Sequence, residues 1–109
     1  MRQHRRLVFA HLSRIHVTNR LSGDPMGGVG DVSLGGLKLI TKQPLAIGAC
    51  YEIQLHVPQP DAENWVVDVA VICRWSRRDP RRHVFEIGCE LDRPSPEYTK
   101  LVAQLIARR

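Results

Sequence analysis

Two short stretches of the chain bring guanidinium, carboxylate and hydroxyl groups together at short, regular spacing. Near the start, Arg2 and Arg6 stand four residues apart, with Arg5 between them as a competing guanidinium that lacks a mate at that spacing. Farther on comes the run Asp31-Val32-Ser33-Leu34-Gly35-Gly36. In an extended strand Asp31 and Ser33 point to one side, and Val32 with Leu34 to the other. A carboxylate accepts two parallel hydrogen bonds from the N1 proton and N2 amino group of guanine, a pair of donors that adenine does not offer, and a hydroxyl at i+2 sits beside it. Gly36, with Gly35 before it, permits a positive φ or a close approach of backbone to ligand. Arginine supplies the planar fork that bonds phosphate or the O6 and N7 edge of guanine and stacks on a base; lysine does this poorly. Strand propensity selects against an outward Asp and Ser, so their presence asks for another reason.

Other chemistries fit less well. His4, His11, His16, His56 and His83 and the three cysteines Cys50, Cys73 and Cys89 raise a zinc site, and His11 and His16 have a ligand-like spacing. No cysteine pair accompanies them, and Cys73 and Cys89 fall on apolar strand faces, which makes them core thiols. Ser33 lies in no G-x-S-x-G elbow, and no histidine has a positioned relation to it, so nothing points to an enzyme. The arginines of "SRRDPRR", 76–82, read as a solvated hairpin loop.

The elements that must position these residues are strands. Period-two alternation places Trp65, Val67, Val69, Val71, Cys73 and Trp75 on one apolar face, with both tryptophans read as core. Tyr51 to Val57 and Phe85 to Leu91 alternate in the same way, and Ile15 to Thr18, Val29 to Ser33 and Leu37 to Thr41 are shorter candidates. The loops expected between them are Asn19 to Gly28, Pro58 to Glu63 and Ser76 to Arg82. Ser95 is placed to cap a helix that runs from Pro96 and Glu97 to about Arg108, with Tyr98, Leu101, Val102 and Leu105 as its docking stripe. Six short strands and a terminal helix predict a closed or nearly closed antiparallel barrel, since closure removes exposed edges.

Length and charge set the outer bounds. The 109 residues and 43% hydrophobic content suit one domain, 1–109, with one modest core. A net charge of +5 favours anionic ligands. Three cysteines make no disulfide framework, and neither a signal-peptide core nor a membrane-spanning apolar run is visible, which leads us to expect a soluble cytoplasmic protein.

Arg2 and Arg6, followed after 24 residues by Asp31, Ser33 and Gly36, resemble the signature of the PilZ family: R-x-x-x-R and then D/N-x-S-x-x-G. "GVGDVSLGGLKLIT", "VDVAVICRW" and "FEIGCEL" resemble that family's strands as well, so the likeness covers nearly the whole chain. The resemblance implies a mainly β fold: a six-stranded antiparallel, Greek-key split β-barrel with a C-terminal helix. It also implies a bacterial receptor for cyclic di-GMP, with no cofactor, that acts through an unidentified downstream protein in motility, exopolysaccharide production and biofilm, or virulence. Arg2 and Arg6 would close over the ligand, Asp31 and Ser33 would bind it from the barrel surface, and Gly36 would shape the turn. The main alternative is a PilZ-like protein-interaction module that binds no nucleotide. A barrel for single-stranded nucleic acid would need exposed aromatics, and the six aromatics fall mostly at core positions.

Overall fold

The apolar positions of each alternating segment become the inside of a ring of strands. The computed structural model describes residues 12–60 and 62–107. After a helical turn at 12–14 come β1 His16–Asn19, β2 Pro25–Ser33, β3 Gly36–Thr41, β4 Cys50–Gln59, β5 Ala62–Asp79 and β6 Val84–Leu91. All pairings are antiparallel, in the order β1-β2-β3-β6-β5-β4, and β4 returns to β1. β4, β5 and β6 are successive hairpins, and β3 lies beside β6, which makes the connection a Greek key. β5 changes partner midway: 62–72 pair with β4, and 71–79 with β6. The six expected strands are therefore present, and the fold class is as predicted.

The core gathers Val17, Leu39, Ile53, Leu55, Val67, Val71, Cys73 and Ile87, all essentially inaccessible to solvent. Each such aliphatic side chain contributes roughly 1.5–3 kcal/mol by leaving water. Trp65 packs against this cluster while half-buried. The helix α1, Pro96–Ala107, buries Tyr98, Leu101, Val102 and Leu105 against the core, the expected stripe. Ser95 caps it: its Oγ accepts the Tyr98 N–H at 3.3 Å and donates to the Asp68 carbonyl at 2.9 Å.

Three loops are shorter than the sequence suggested. β5 continues through "SRRD" to Asp79, so the arginine-rich hairpin turn is only 80–83. Arg77 stays in the ladder because Glu86 faces it across the strands and bonds it. β2 begins at Pro25, a first position where a missing N–H costs nothing, and Pro58 sits at a register irregularity in β4.

Two bulges redirect side chains. In β2, Val29 pairs with Leu39 and Asp31 with Lys38, leaving Gly30 as an extra residue. In β5, Cys73 pairs with Cys89 and Trp75 with Gly88, leaving Arg74 as the extra one. Each bulge breaks strict alternation, so Asp31 does not follow buried Val29 inward, nor Trp75 buried Cys73. The expectation that Trp75 is a core residue is thereby corrected: it is 45% exposed, on the outer face.

Candidate functional site

The outer face of β2, β3, β6 and β5 carries a row of register neighbours: Asp31, Lys38, Gly88 and Trp75. Along this row the chain forms an open cleft of about 730 Å³. Trp75 lies flat across Gly88: a Cβ added there would fall 2.0 Å from the indole Nε1. The absent side chain lets the ring settle on the sheet and present its other face to solvent. The result is an aromatic floor with a carboxylate on one side and cations around it.

Asp31 and Ser33 are both exposed, with Val32 half-buried between them. One Asp31 oxygen, Oδ1, accepts the Val32 N–H at 2.9 Å. A carboxylate has about four acceptor positions, so the remaining ones are available to a ligand edge. Ser33 Oγ donates to the Gly36 carbonyl at 3.3 Å, a long bond that an incoming acceptor can displace. Beneath the hairpin turn, the buried Tyr98 hydroxyl lies 2.9 Å from the Ser33 carbonyl and 2.6 Å from that of Gly36. The C-terminal helix thus fixes the backbone on which Asp31 and Ser33 stand. Burial pushes the Tyr98 phenol well above its ordinary range, so it remains a hydrogen-bond donor.

Gly36 does not supply the positive φ that the sequence allowed for; among the described residues the glycines with positive φ are Gly23, Gly27 and Gly48. A Cβ on Gly36 would fall 2.1 Å from the Cys89 carbonyl oxygen, so glycine is required by the close approach of β6. Gly35 lines the cleft and has open space where a Cβ would project.

Charge around the floor is balanced. Glu86 takes both Arg77 and Lys38, the latter at 3.8 Å. The Arg77 hydrogen bond, followed by the charge of Lys38, holds its carboxyl below the usual range. Glu90 holds Arg74 at 2.6 Å. The sequence reading found Asp31, Ser33, Gly35 and Gly36, which the structure brings to one cleft. It missed Lys38, Arg74, Trp75, Arg77 and Gly88. Arg2, Arg5 and Arg6 lie outside the described residues.

Three comparisons complete the description. A model of the PilZ domain matches residues 1–108. A solved Bacillus subtilis structure, the inhibitor of motility MotI/DgrA, superposes with a TM-score of 0.68 at 14% identity over 87% of this chain. The chain spans 46% of that protein's length, and the likeness is one of fold. No curated protein matches the chain in sequence. With the family model covering all but the final residue, the chain belongs to the PilZ domain family.

Proposed function

We propose that this chain is a cyclic di-GMP receptor domain whose ligand lies across the four-strand outer face. PilZ domains are binding or regulatory modules, and the family is associated with this dinucleotide. The observation that carries the reading is the placement of the Asp31 carboxylate and the exposed Trp75 ring on one surface, in one cross-strand row. Asp31 and Ser33 take the Watson–Crick edge of a guanine. Trp75 offers a face on which a base stacks. Strands β2 and β5 are separated by three strand spacings, about 14 Å at the usual 4.7–4.9 Å. A ligand that sets a guanine edge on Asp31 and stacks a base on Trp75 across that span needs two bases, which favours a dinucleotide over GTP.

Arg2 and Arg6, with Arg5 as their competitor, are assigned to the phosphates and to a guanine face. Charge supports this assignment. The positive charge of Lys38, Arg74 and Arg77 is balanced by Glu86, Glu90 and Asp31, so a net excess of positive charge for a dianionic ligand has to come from elsewhere. No catalytic step is part of the reading. Binding changes the shape and charge of the outer face, and a downstream protein reads that change. The name of the structural neighbour makes motility one output to test.

Calorimetric titration of cyclic di-GMP, with cyclic di-AMP and GTP as controls and Arg6→Ala and Asp31→Ala in parallel, tests the proposal. Saturable binding specific for the guanine dinucleotide and lost in both variants is expected. No heat and no rise in Tm at high ligand concentration would leave the interaction-module reading in place.

A further inference from the structure

We propose that Arg74 is an additional phosphate ligand of the cleft and that Glu90 is its built-in competitor, which holds the affinity for the dinucleotide below what the site could reach. The inference rests on the cyclic di-GMP reading above.

Two carboxylates flank the floor, and they hold their cations differently. Glu86 is 13% exposed in its side chain and takes two partners, Lys38 and Arg77, in one cross-strand cluster. Drawing a cation away would break up a cluster around a carboxylate that is mostly shielded from solvent. Among the described residues Glu90 pairs with Arg74 alone, through both Nε and Nη2 on one carboxylate oxygen, at 2.7 and 2.6 Å. Both side chains of this pair are 55% exposed. An exposed pair of this kind contributes little net stability, so it exchanges readily with a better partner.

Position makes Arg74 the cation best able to exchange. It is the extra residue of the β5 bulge, next in sequence to Trp75, and it lines the same cleft as Asp31. A phosphodiester attached to a base stacked on the indole comes within reach of its guanidinium fork, which suits phosphate oxygens as well as it suits a carboxylate. Glu90 is the register partner of Gly36 and also lines the cleft. When Arg74 turns to the phosphate, Glu90 loses its counter-ion and faces an anion. The ligand must therefore outcompete one negative charge and then tolerate it.

The test is calorimetric titration of cyclic di-GMP into the wild type, Glu90→Gln, Arg74→Gln and the double variant, at two salt concentrations, with Tm measured for each to confirm folding. Glu90→Gln is expected to tighten binding by about three- to tenfold, most clearly at low salt. Arg74→Gln is expected to weaken it by a similar factor. In the Arg74→Gln background, the Glu90→Gln change should give less than half its gain in log affinity, since the competition it relieves is gone. Unchanged affinity in Arg74→Gln, or an undiminished gain in the double variant, would overturn the role of the pair while leaving the receptor reading intact. A wild type that binds no cyclic di-GMP overturns both.

Discussion

Trp75 and Gly88 show how a single pair of residues can decide what a surface does. The indole occupies the space where any other residue at 88 would place its Cβ. Gly88→Ala therefore lifts the ring from the sheet, but the ring is exposed enough to move. We expect nearly unchanged Tm and a clear loss of cyclic di-GMP affinity. Gly36→Ala gives the opposite split, because its added Cβ meets the Cys89 backbone oxygen and β3 and β6 must separate. That variant should lose about 2 kcal/mol or more in urea melts, within the range of overpacked positions. Trp75→Ala should weaken binding by about 1–3 kcal/mol, the usual worth of a stacked base, and should abolish ligand-dependent quenching of tryptophan fluorescence. Trp65→Phe should preserve the quenching.

Strand by strand, alternation made the inner faces legible: Tyr51 to Val57, the first half of β5 and Phe85 to Leu91 all appear where their periodicity put them. The bulges did not announce themselves, because an extra residue in a strand is chosen by the pairing of two strands and not by the residues of one. One clue to the second bulge was available. Pairing back from the turn at 80–83 sets Trp75 against Gly88, and a lone glycine at an outward strand position marks a close approach. At the junction of helix and hairpin, Tyr98 is the element to test. Tyr98→Phe deprives the Ser33 and Gly36 carbonyls of their buried donor. It should cost about 1–3 kcal/mol of stability and should also lower ligand affinity, since Asp31 and Ser33 lose their fixed backbone.

For the molecule as a whole, the ring, the helix and the hairpin that carries Asp31, Ser33 and Gly36 in the candidate cleft were legible in the sequence, because those rest on local pattern. Lys38, Arg74 and Arg77 join the site only through tertiary pairing. The thiols report on the integrity of the ring. Cys50 is exposed, whereas Cys73 and Cys89 face each other in the core. At pH 8, a thiol reagent should modify Cys50 promptly and the other two only after denaturation. Burial pushes the Cys89 thiol up to about 12 from an ordinary value near 9. The folded protein therefore keeps a proton that the unfolded chain releases. Stability from this source is complete below about pH 9 and is lost as pH rises toward 12. Urea melts at pH 8 and 10.5 should show that decline, and Cys89→Ala should reduce it.

The change of partner midway along β5 would leave each half of the strand with one unpaired edge. Those edges are occupied near the crossover. The Asp92 N–H and Ser95 hydroxyl donate to the carbonyls of Ala70 and Asp68, and on the other side Gly48 and Ala49 exchange bonds with Cys73. Among the described residues, the backbone groups of Asp68, Ala70 and Cys73 are thus already bonded at the crossover, which blocks strand addition at those positions. A protein that docked at this crossover would therefore meet relief and charge, with the backbone already spoken for.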